Sequence, residues 1–169
     1  MSYAKSKVLL IIAQNGVLLM AMQKTILLCT LPCYNYGPYS PQVDHLVYDL
    51  NGSFIKGFEQ KSATAFEPLA MQYDKIEEVS KYVRTLDQQE QNSLKATINL
   101  ISGFESTLAL EVLASVDFIR HTNPGITLAD TITAIHQWSE RKNKLFKDEY
   151  IQIAYDHLDT FRYNQQELF

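Results

Sequence analysis

Ser40-Pro41-Gln42-Val43-Asp44-His45-Leu46-Val47-Tyr48-Asp49-Leu50-Asn51-Gly52-Ser53-Phe54-Ile55-Lys56-Gly57-Phe58 is the stretch on which the architecture turns. Ser40 offers an N-cap oxygen, and Pro41 suits the first helical position, where its missing N–H leaves nothing unpaired. Val43, Leu46, Val47 and Leu50 then recur at helical spacing. Asn51-Gly52 ends the helix in the manner of a left-handed C-terminal turn. Beyond it, residues 53–59 and 65–71, with Phe54, Phe58 and Phe66, suit a small hairpin around residues 60–64.

Upstream, residues 3–13 and 18–31 read as two further helices broken at Asn15-Gly16 and closed by Pro32. The aromatic turn Tyr34-Asn35-Tyr36-Gly37-Pro38-Tyr39 links them to Ser40. Helix, helix, helix, hairpin is the order of a winged helix, with the hairpin as wing. The apolar runs within the first thirty residues are each too short for a membrane span or an export signal. A cytoplasmic location is expected, with no membrane contact.

The remaining chain reads as helical. Ile76, Val79, Val83 and Leu86 form one stripe, and Leu94, Ile98 and Ile101 a second. Asp87 with Glu90 has capping-box spacing. Phe104, Leu108, Val112, Val116 and Ile119 form a third, in a helix apolar nearly all round and therefore central; Asn123-Pro124-Gly125 ends it. Leu128, Ile132, Ile135 and Trp138 form a fourth stripe, and Phe146, Tyr150, Ala154 and Leu158 a fifth, followed after Phe161 by a polar tail expected to fray. The expected fold is mainly α with a small β-hairpin (α+β). A winged-helix-like part over 1–72 would carry a helical bundle over 73–169, the two packed as one compact domain.

The 169 residues are 46% apolar and 20% charged, with 6 Gly and 5 Pro, a composition of a folded globular chain. Net charge is −4. Residues 1–84 carry 8 basic and 7 acidic side chains, whereas residues 85–169 carry 7 and 12. A general nucleic-acid binder carries a basic excess instead. The third helix would present Gln42, Asp44, His45 and Asp49 to a major groove, and its two carboxylates would meet phosphate with like charge. DNA binding is disfavoured.

No constellation carries chemistry. Cys29 and Cys33 make one C-x3-C pair, and a zinc site would need distant His45 or His157 to complete it. The plain reading is two apolar thiols, in a chain with no disulfide framework. Phosphate-cradling and nucleophile-elbow motifs are absent. His136 is expected on an exposed helix side, and His121 at a helix C-terminus where a cation is favourable. Glu111 and Asp117 are too far apart along their helix to share a face. Arg141-Lys142-Asn143-Lys144 and Lys147 read as a solvated loop of cations beside a helix C-terminus rather than an anion contact. No catalytic residue, metal or cofactor is expected. An enzyme assembled from His136, His157 and scattered carboxylates would need a pocket that spacing does not reveal.

Several motifs, in order, carry a family resemblance. Met22-Gln23-Lys24 and Tyr36-Gly37-Pro38-Tyr39-Ser40 resemble the Leu-Gln-Lys and Gly-Pro-Tyr-Ser elements of bacterial winged-helix-like proteins. Asn51–Phe58, Ile101-Ser102-Gly103-Phe104-Glu105-Ser106, Leu110-Glu111-Val112-Leu113-Ala114-Ser115-Val116, and Trp138-Ser139-Glu140-Arg141-Lys142 with Phe146 resemble segments in the C-terminal half of DarG. DarG is the macrodomain antitoxin family paired with a DNA ADP-ribosyltransferase toxin, DarT. The stretch between Lys24 and Tyr36 is shorter here than in that family. The 169 residues leave no room for the macrodomain, so the family's ADP-ribosyl hydrolase activity is not carried over. The resemblance implies a non-enzymatic, antitoxin-like interaction domain whose partner is a protein, a DNA-modifying toxin. Tyr34, Tyr36, Tyr39, Gln42, Asp44 and Asp49 are the expected partner-binding residues, the tyrosines as aromatic anchors. The acidic second half is equally suited to a homodimer. The alternative is a winged-helix DNA-binding transcriptional regulator.

Overall fold

The computed structural model describes residues 33–34, 37–38, 49–56 and 70–166. The helices expected over 3–13 and 18–31, most of the helix expected after Ser40, the tip of the expected hairpin and four of the six expected partner-binding residues lie outside them. The described residues are mainly helical and fall into two compact units, 49–56 with 70–103 and 33–34 with 37–38 and 104–166. No described helix is long and apolar enough to cross a membrane.

In the second unit, β1 (Cys33–Tyr34) pairs antiparallel with β2 (Gly37–Pro38), with Cys33 opposite Pro38 and Tyr34 opposite Gly37. In the first unit, Asp49 and Leu50 are helical, and the chain turns through Gly52 at φ +83°. A side chain with a Cβ is strained in that conformation. The amides of Ser53 and Phe54 donate back to the Leu50 carbonyl, at 3.3 and 2.9 Å. There β3 (Ile55–Lys56) pairs antiparallel with β4 (Ala70–Met71), Ile55 opposite Met71. The two segments expected to flank the hairpin tip do meet.

A 3-10 turn (Tyr73–Lys75) leads into α1 (Ile76–Thr85) and α2 (Gln88–Ile101). Asp87 begins α2 with a full capping box: its carboxylate accepts from the Glu90 amide at 2.7 Å, and the Glu90 carboxylate accepts from the Asp87 amide at 3.0 Å. Val79, Leu86, Leu94, Ile101 and Ile55 are the buried apolar residues among the unit's described residues. Ile76 and Ile98, expected on the buried stripes, are exposed at the stripe edges.

The second unit also contains α3 (Thr107–Thr122), α4 (Leu128–Trp138), α5 (Glu140–Leu145) and α6 (Asp148–Gln166). Ser106, Thr127 and Ser139 cap the first three, each accepting a backbone amide three residues on. α3 is the central helix, as its apolar circumference requires. Leu110, Val112, Leu113, Val116 and Ile119 are buried among Ile135, Phe146, Ile151, Ala154 and Leu158. Each fully buried large aliphatic side chain contributes roughly 1.5–3 kcal/mol.

Two expectations are corrected here. Tyr150 is exposed and Ile151 is buried in its place, because the chain breaks at Phe146-Lys147 and α6 restarts in a new phase. The chain after Phe161, expected as a polar tail, is helical as far as Gln166.

Candidate functional site

A carboxylate inside an apolar helix needs a partner, because an unpaired buried charge costs several kcal/mol. Glu111 on α3 is 5% exposed, and its partners come from α5, thirty residues along the chain. Arg141 grips it with two parallel hydrogen bonds, Nη1 to Oε1 at 2.6 Å and Nη2 to Oε2 at 2.9 Å. That fork is the strongest geometry available to a carboxylate. Lys142 is wholly buried; its Nζ donates to Ser115 Oγ at 2.7 Å and to Glu111 Oε1 at 3.4 Å. The Ser115 hydroxyl donates in turn to the Glu111 carbonyl at 2.7 Å. The rings of Trp138 and Phe146 lie 4.7 and 4.5 Å from Nζ, where their faces attract a cation. Thus one carboxylate, two cations, a hydroxyl and two rings fasten the six-residue α5 to α3.

The solvated loop of cations expected over 141–147 is therefore corrected at Arg141 and Lys142, while Lys144 and Lys147 are exposed as expected. The segment is a helix in which Arg141 and Lys142 are consumed by Glu111 and Ser115. Lys144 Nζ bonds Glu140 Oε1 at 2.5 Å, and Lys147 Nζ lies 5.8 Å from the Tyr150 ring centroid. Each of these four cations has a contact within the fold, the two inner ones buried or half-buried and the two outer ones exposed. His136 is likewise corrected from exposed to half-buried. The segment after α5 folds back beside it, and His136 Nε2 lies 3.0 Å from the Phe146 carbonyl and 3.4 Å from Asp148 Oδ1. His121 lies exposed in the last turn of α3, as its dipole reading requires, and His157 packs its ring 4.8 Å from that of Phe104.

Ser115 beside Lys142 has the composition of a nucleophile with its base. Neither side chain reaches solvent, and both ends of the serine hydroxyl are already engaged, so the pair can hold α5 but cannot meet a substrate. Among the described residues no three His, Cys, Asp or Glu side chains converge on a metal-sized site. Cys29 and His45 lie outside the described residues.

A second polar joint sits at the far end of α3. Arg120 stacks 4.0 Å above the Tyr155 ring, donates to the Tyr155 carbonyl at 2.9 Å and pairs with Asp159. Tyr155 hydroxyl donates to the Ile126 carbonyl at 2.8 Å.

Of the expected partner-binding residues, Tyr34 lies in β1 and Asp49 is exposed at a helix end. Tyr36, Tyr39, Gln42 and Asp44 are outside the described residues. The Glu111 cluster was missed by spacing arguments. Its signal was the acid at the centre of the most apolar helix, together with two resembling segments, Leu110–Val116 and Trp138–Phe146, that the fold brings together.

No protein-family model matches the chain. Among curated proteins, the chain is 27% identical over 127 residues to the DNA ADP-ribosyl glycohydrolases of Mycobacterium bovis BCG and Mycobacterium tuberculosis, matching 73% of this chain and 36% of each relative. A DNA ADP-ribosyl glycohydrolase of Thermus aquaticus is 24% identical over 126 residues, matching 75% of this chain and 34% of the relative. The chain is related to these DarG proteins and spans about a third of their length.

Proposed function

We propose that this chain is a non-enzymatic, antitoxin-like interaction domain that binds a DNA-modifying toxin and holds it inactive. The carrying observation is a sequence relation to DNA ADP-ribosyl glycohydrolases that covers most of this chain and only about a third of theirs. That third is read as the toxin-holding, C-terminal part. The Glu111, Ser115, Arg141 and Lys142 side chains of the resembling segments are spent inside the fold, which supports a maintained shape rather than a reaction centre. The pairing of β3 with β4 after the Gly52 turn supports a winged-helix-like first part, within 1–72. Its partner face would include Tyr34, Tyr36, Tyr39, Gln42, Asp44 and Asp49, in a cytoplasmic protein.

The test is co-expression with a DNA ADP-ribosyltransferase of the DarT kind, followed by gel filtration and an assay of ADP-ribose transfer to DNA. A one-to-one complex with transfer suppressed is the expected result. No complex, together with salt-dependent retention of duplex DNA by the protein alone, would replace this reading with a DNA-binding regulator.

A further inference from the structure

Helix α6 leaves one arrangement that the fold does not use. Ile153 is the most exposed large apolar side chain of the second unit's described residues, at 59%. On a helix its nearest surface neighbours are three and four positions away. These are Glu149 and Asp156 along one side and Tyr150 and His157 along the other. Glu149 and Asp156 are exposed, and neither side chain makes an ion pair or hydrogen bond among the described residues. The unit's other described carboxylates are engaged, from Glu111 on Arg141 to Asp159 on Arg120. The two uncommitted carboxylates thus flank the one apolar side chain most open to contact.

We propose that this face of α6, centred on Ile153 between Glu149 and Asp156, is a docking surface for a protein partner that presents an apolar side chain between lysines or arginines. The inference rests on the toxin-binding reading and names the surface that serves it. Charge complementarity selects the occupant. Phosphate backbones and anionic lipid would be repelled by both carboxylates, and a second copy of α6 would set like charges against each other. A basic protein surface pairs both and buries Ile153, with Tyr150 as the aromatic anchor beside it.

The experiment measures the dissociation constant of the full-length chain for a catalytically inactive form of the DNA ADP-ribosyltransferase, by calorimetry. Ile153→Arg should weaken binding at least tenfold, as expected when a central interface anchor is lost. Glu149→Lys with Asp156→Lys should slow association and flatten its salt dependence. Gln137→Arg, on the exposed side of α4, should bind as the parent does. All three substitute exposed positions, and unchanged melting curves establish that the fold is kept. Parent-like binding by Ile153→Arg and by the double charge reversal overturns the assignment of α6. A parent protein that fails to bind overturns the toxin-binding reading itself, and the α6 surface with it.

Discussion

Replacing Glu111 by glutamine isolates the charge of the buried cluster at almost unchanged volume. The amide can still accept one hydrogen bond, but Arg141 and Lys142 then share a site with two positive charges and no carboxylate. Removing one member of a buried ion pair typically costs about 3–5 kcal/mol. Arg141 keeps a 26% exposed side chain and some solvent, whereas Lys142 has none, so the lower end of that range applies. About 3 kcal/mol corresponds to a melting point lowered by about 6–12 °C in a chain of this length. Lys142→Met fills a similar volume and leaves the Glu111–Arg141 fork intact, with Ser115 still bonded to the Glu111 carbonyl. It should fall within about 1 kcal/mol of the parent in either direction. Added to Glu111→Gln, it removes one uncompensated charge and should recover at least about 1 kcal/mol. Urea unfolding followed by Trp138 fluorescence is the assay, since this is the chain's only tryptophan and its ring lies 4.7 Å from Lys142 Nζ. A Glu111→Gln midpoint indistinguishable from the parent, or a Lys142→Met loss larger than that of Glu111→Gln, would refute the account of the cluster.

Three further outcomes follow from local geometry. Arg120→Ala should destabilise by about 1–3 kcal/mol through its lost bond to the Tyr155 carbonyl and its stacking, and Arg120→Lys should recover little because an ammonium cannot reproduce the planar fork; thermal melts of both variants check this. Asp87→Ala should cost about 1 kcal/mol by opening the capping box, and Asp87→Ser should restore most of it, as read from helicity and melting point. Gly125 holds φ +83° with open space where a Cβ would sit, so Gly125→Ala should lose about 1 kcal/mol from backbone strain alone, measured by the urea midpoint.

What the chain disclosed in advance was what short-range physics determines. The Asp87–Glu90 box involves residues three apart, and the stripe of α3 declares a central helix through its composition alone. Tyr150 was misassigned because a single 3.6-residue phase was carried across Phe146-Lys147, where the helix in fact stops and restarts. The Glu111 cluster lay beyond such reasoning for a different cause. Its partners are thirty residues apart, and a run such as Arg141-Lys142-Asn143-Lys144 looks solvated because lysine is almost never fully buried unless it is paired. The acid that makes Lys142 an exception belongs to another helix. Once that pairing is known, charges sort into two kinds. Those held inside, on Glu111, Arg141 and Lys142, account for why α5 stays docked; those left uncommitted in the second unit, on Glu149 and Asp156, are the ones the proposed partner would use. A net charge alone cannot make that division, since both kinds enter it equally.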